Sequence, residues 1–158
     1  MEKKSLCMGL ALGIGCLSFL AIINALFYHF THLKMDVHLQ NNIETTIETD
    51  STIDFSKVTD FDWDTLYVFT PYSSPNEILD EDNIITFNSN FNIEYLDSIV
   101  MLGFVKDYYL VAYVELPRSH VTNLSTISMR FSKDTAIFKV RPVETNTDEN
   151  YTQKAIAF

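Results

Sequence analysis

From Ser5 to Phe27 the chain reads SLCMGLALGIGCLSFLAIINALF, 23 positions without a charged side chain. As a helix rising 1.5 Å per residue this run spans roughly 34 Å, the depth of a bilayer's hydrocarbon layer. Residues 1–30 are therefore expected to form a membrane anchor helix, with a signal segment as the alternative. The pattern then turns polar. Residues 31–52 contain neither Gly nor Pro, their apolar positions Val37, Ile43 and Ile47 are widely spaced, and Glu44 and Glu48 stand four apart. This reads as a polar stalk, either solvated or a helical extension of the anchor.

Beyond the stalk the periods are those of strands. Phe61, Trp63, Thr65, Tyr67 and Phe69 alternate with Asp60, Asp62, Asp64, Leu66 and Val68, which predicts a strand with an aromatic core face and a face that begins wet. A short helix is expected to start at Ser74, with Pro75 first inside it and Glu77 placed for a capping box, and Asp80, Glu81 and Asp82 cut it short because a helix C-terminus disfavours anions. Ile84–Asn88 reads as another strand. Ile99–Val105 and Tyr108–Leu116 are nearly continuous apolar runs joined by Lys106 and Asp107, hence central strands of a hairpin. Two cleaner alternations follow, with Ile127, Met129 and Phe131 and then Ala136, Phe138 and Val140 on the apolar side of a turn at Ser132–Thr135. The sum is an α+β domain over residues 53–145, one short helix on an antiparallel meander of about five strands, followed by an unassigned tail at 146–158.

Charge orients this arrangement. Lys3 and Lys4 precede the apolar run and only Lys34 follows it closely, so the amino terminus is expected in the cytoplasm and the domain outside, in the cell membrane's extracytoplasmic space. Cleavage after Ala25, or lipidation at Cys16 behind "GIG", stands as an alternative to the uncleaved anchor, and either exports the same domain. Both cysteines, Cys7 and Cys16, fall inside the apolar run, so neither a disulfide nor thiol chemistry is expected in the exported part. From Thr31 onward there are 20 acidic against 9 basic residues, a field that repels nucleic acid; the excess is local, since Glu44–Asp97 holds 13 acids and only Lys57.

The motifs that could carry chemistry are incomplete. Asp60-x-Asp62-x-Asp64 begins like a calcium loop, but the sixth and twelfth positions hold Thr65 and Pro71 where Gly and Glu are needed. His29 and His32 lack a third ligand, Ser119-His120 lacks a nucleophile turn, and Gly103 is the only glycine beyond the apolar run. No metal, cofactor or catalytic residue is expected. What calls for an explanation is the apolar excess of the hairpin, whose two faces both need a cover, from this domain or from a partner.

The stretches DFDWDTLYVFTPY (Asp60–Tyr72), SPNEI and FVKDYYLVAYVELPRS (Phe104–Ser119) resemble a family of small exported bacterial proteins, described as lipoproteins or membrane proteins and without an assigned activity. The resemblance covers about two thirds of the exported part and implies a fold and a location but no reaction. The expectation is thus a membrane-anchored, non-catalytic binding or structural module, partnered by the membrane and by another exported protein. Trp63, Tyr67, Tyr72, Tyr109 and Arg118 are its candidate surface, with Arg118 expected to pair with the acidic start of the first strand. The competing expectation is an extracytoplasmic hydrolase that uses carboxylates of the acidic half.

Overall fold

A computed structural model describes residues 15, 17–25, 33–87, 90–125, 128–143 and 153–158. The chain divides into two units, Met1–Leu33 and Lys34–Phe158. In the first, residues 17–25 are helical, with Leu17, Phe19, Leu20, Ile22 and Ile23 all exposed. Among the described residues no helix is long and apolar enough to cross a membrane. The apolar run expected to do so lies largely outside them, as do Cys7 and Cys16.

The second unit is α+β and starts earlier than expected. Helix α1, Val37–Thr49, begins at Asp36, whose Oδ1 accepts the Leu39 N–H at 2.9 Å. Leu39, Ile43 and Ile47 recur every four residues on one face and are buried in the main core. The polar stalk is therefore corrected: three apolar residues suffice to seat this helix, and too few of them stand in the polar text to betray it. Lys154 Nζ donates to the Glu48 carbonyl at 2.8 Å, occupying one of the acceptors that the helix end leaves open.

Among the described residues eight strands follow: β1 (Thr52–Asp54), β2 (Thr65–Phe69), β3 (Ile99–Lys106), β4 (Tyr109–Pro117), β5 (Val121–Thr122), β6 (Met129–Ser132), β7 (Ile137–Val143) and β8 (Gln153–Ala157). They form two four-stranded sheets, ordered β1-β7-β8-β5 and β4-β3-β2-β6, antiparallel throughout except for the β5–β8 pair. The expected single meander becomes two sheets because a 3-10 turn at Lys133–Thr135 carries the chain from β6 in the second sheet to β7 in the first. Of the tail left unassigned at 146–158, residues 153–158 are described. Its β8 lies between β7 and β5, with Ala155 and Ile156 fully buried.

The sheets and α1 share one core, to which the second sheet gives Leu66, Val68, Leu102, Phe104 and Val114 and the first Ile53, Phe138, Val140 and Ile156. Aromatic rings bind its centre together: Phe104 meets Trp63 at 5.3 Å and Phe55 at 6.1 Å, and Phe138 meets Phe131 at 4.8 Å and Phe158 at 4.7 Å.

The opposite face of the second sheet is also covered, which answers the question raised by the hairpin. Here Tyr67 and Phe69 stack at 5.8 Å over Gly103, where an added Cβ would lie 3.0 Å from Phe69 Cε2 and 3.1 Å from Leu110 Cδ1. The chain between β2 and β3 closes this face, with Phe91 edge-on to Tyr113 at 5.2 Å and Leu79 and Ile93 fully buried. Leu79 belongs to α2, Pro75–Glu81, the helix expected at this place; Pro75 is its first residue, but the Ser74 side chain makes no cap. Of the strand expected at Ile84–Asn88, whose last residue lies outside the described ones, the described residues keep a single parallel bridge, Ile85 to Tyr109 at the edge of β4. The hairpin turn sits one residue later than expected, at Asp107 and Tyr108, with Asp107 at φ 53°.

Candidate functional site

The five candidate surface residues separate. Trp63 and Tyr67 are buried and cannot meet a partner, which corrects their place on a binding face. Trp63 Nε1 donates to Thr59 Oγ1 at 2.8 Å, and its ring packs on the same core as Leu66 and Val68. Strict alternation would put it with Tyr67, but β2 starts only at Thr65, so the alternation does not run back to Trp63. Tyr67 donates its hydroxyl to Asp82 Oδ2 at 2.9 Å, and Arg130 Nη1 reaches the same oxygen at 2.6 Å. Burial, reinforced by the Asp82 carboxylate, pushes the Tyr67 hydroxyl above its ordinary pKa and keeps it a neutral donor. Tyr109 opens β4 and Arg118 follows its end, so a nine-residue strand, roughly 30 Å of chain, lies between them.

Charges at the hairpin end of the second sheet are spent on one another. Lys106 Nζ lies 3.1 Å from Asp62 Oδ2 and 2.9 Å from Asp64 Oδ1, and Lys133 Nζ lies 3.1 Å from Asp62 Oδ1 and 5.6 Å above the Trp63 ring. Asp64 also accepts the Asp107 N–H at 2.9 Å. Hydrogen bonds from Lys106 and then Lys133 hold Asp62 below the ordinary carboxylate range; the Asp107 amide and then Lys106 do the same for Asp64. Lys106 is raised in turn. The Asp-Trp-Asp motif is thus a clasp joining the start of β2 to two turns. The expectation that Arg118 would pair with these acids is corrected, because Lys106 and Lys133 already hold them.

The other end of the same sheet is built differently. In the order β4-β3-β2, the end of β4, the approach to β3 and the end of β2 must meet there. They bring together Arg118, Asp97 and Tyr72, which with Thr70, Pro71, Leu124 and Ser125 line a depression of about 540 Å³. Its backbone is fixed: Arg118 N donates to Ser98 O at 2.8 Å, Tyr72 N to Ile93 O at 2.9 Å, and Ser73 Oγ to Thr70 O at 2.7 Å. Tyr72 has φ 64°, a left-handed conformation that is costly for a bulky residue, and the residue is 65% exposed. Among the described residues, the side chains of Tyr72, Asp97 and Arg118 make no hydrogen bond or ion pair. A larger depression of about 620 Å³ lies between α1 and β1, but its cation Lys57 is paired with Asp54 at 3.0 Å. Among the described residues no three His, Cys, Asp or Glu side chains converge as metal ligands, and no hydrogen bond joins Ser119 to His120.

Compared with protein-family models, with curated proteins and with solved structures, the chain matches none of them.

Proposed function

We propose that this chain is a membrane-anchored extracytoplasmic protein whose folded unit acts as a non-catalytic binding module, with the Tyr72–Asp97–Arg118 end of the second sheet as its contact surface. The observation that carries this reading is the contrast between the two ends of that sheet. Acids and lysines neutralise one another at the hairpin end, while at the other an aromatic ring, a carboxylate and a guanidinium line one depression and, among the described residues, stand unpaired. Unspent polar groups on a hydrogen-bonded frame favour recognition of something outside the chain. The hydrolase reading draws less support: a general acid needs a raised carboxyl pKa, and the shifts at Asp62 and Asp64 run downward. The anchor rests on the uncharged run Ser5–Phe27, and the orientation on Lys3 and Lys4.

The test places a photo-crosslinking amino acid at position 72, or at the exposed Ile137 of the other sheet as a control, in the intact protein in its own membrane. Position 72 is expected to capture a component that position 137 does not, and protease added to whole cells is expected to digest residues 34–158. Equal capture from both positions overturns the binding reading. A protected folded unit beside a digested exterior marker overturns the orientation.

A further inference from the structure

We infer that the depression at the Tyr72 end takes a neutral saccharide unit, its ring stacked on Tyr72 and its hydroxyls bridging Asp97 and Arg118; this rests on the binding reading above. The ligand class follows from the charges on the walls. Asp97 and Arg118 line one depression without forming an ion pair. An anion drawn to Arg118 meets the Asp97 carboxylate and the field of a chain with net charge −10. A cation drawn to Asp97 meets Arg118. An apolar ligand would take water from both charges and return no hydrogen bond. A ligand that carries donors and acceptors together, and no charge, satisfies both: a hydroxyl donates to the acceptor-only carboxylate, and a neighbouring oxygen accepts from the donor-only guanidinium.

Tyr72 selects among neutral polar ligands. An exposed aromatic face carries a negative quadrupole that attracts weakly positive C–H groups, and the flat face of a pyranose presents a row of them. The backbone geometry is an independent sign. A tyrosine at φ 64° is a strained choice where Gly or Asn would rest easily, and the ring it holds out touches solvent rather than core. Strain kept at an exposed aromatic is accounted for when the ring's direction is what matters. The volume of about 540 Å³ accommodates a sugar unit, and the open side leaves room for the rest of a glycan.

The experiment uses the intact chain in phospholipid nanodiscs and saturation-transfer NMR against neutral trisaccharides of the α-glucan, β-glucan, chitin, mannan and galactan types, with trigalacturonate as the anionic arm. At least one neutral trisaccharide is expected to bind. Tyr72→Gly, Asp97→Asn and Arg118→Ala are each expected to weaken it about tenfold or more. Tyr72→Gly is also expected to raise the melting temperature, because glycine relieves the left-handed backbone; a purely structural tyrosine would lower it and leave affinity unchanged, which overturns the inference. Binding of trigalacturonate alone, lost only in Arg118→Ala, reassigns the site to anions and overturns it too. If no trisaccharide binds at about 10 mM while position 72 still crosslinks a component, the saccharide class falls and the binding reading stands; if both fail, both fall.

Discussion

Replacing Gly103 by alanine tests the closure of the sheet face that carries Tyr67 and Phe69. The new Cβ would lie 3.0 Å from Phe69 Cε2 and 3.1 Å from Leu110 Cδ1, well inside the roughly 3.5–4.0 Å at which carbon atoms attract. Leu110 can yield by turning its terminal methyl. Phe69 cannot swing out, because it is fully buried and stacked on Tyr67 at 5.8 Å. Overpacking of this kind costs about 1–3 kcal/mol, and the narrower unfolded ensemble of alanine returns about 0.4–1 kcal/mol. The net expectation is a loss of about 1 kcal/mol. With a urea dependence of about 1–3 kcal/mol per molar, the midpoint of the intact chain followed by circular dichroism falls by about 0.5 M. A raised midpoint for Gly103→Ala would refute the close contact.

Removing the shared cation of the clasp gives a pH signature. Hydrogen bonds from Lys106 and from the Asp107 amide hold Asp62 and Asp64 below the ordinary carboxylate range in the folded chain, so they stabilise it fully above their unfolded pKa and lose that contribution as pH falls through the folded values. In Lys106→Met, carboxyl-resolved NMR should show Asp62 moving up toward the ordinary carboxylate range and Asp64 moving less, because the Asp107 amide remains, and the acid-side loss of stability should become shallower; an unmoved Asp62 would rule out the pairing. The single tryptophan supplies a simpler check. Trp63 is fully buried, so its emission should be blue-shifted and resistant to iodide, and ready quenching would return it to the surface.

How much of this was legible depended on the length of each element. The strands β3, β4 and β7 announce themselves through runs and alternations, and the α+β class follows from them. The helical alternative for the stalk was legible, but the seating of α1 in the core escaped because Leu39, Ile43 and Ile47 are its only buried residues, and β1 and β5 escaped because three and two residues are too short to show a period. Strand β8 hides its buried pair Ala155 and Ile156 in a tail that is otherwise polar up to Lys154. At the site, Tyr72 and Arg118 could be named from sequence as an exposed aromatic and a cation after Pro117. Asp97 could not, since it looks like any acid in an acidic stretch. The usable signal was topological: once β2, β3 and β4 are antiparallel neighbours, whatever follows β2, precedes β3 and follows β4 shares one corner.

Because β8 is laid between β7 and β5, the first sheet has a gap down its middle until residue 157 is present. Up to that moment β5 has no neighbour, Phe138 and Phe131 lack the ring of Phe158 beside them, and Glu48 waits for Lys154. Residues 153–157 therefore lock the first sheet, and through Phe158 and Lys154 they also reach the second sheet and α1. A chain cut before Gln153 is expected to lose the pairing of β5 and β8 and with it part of the β signal in circular dichroism.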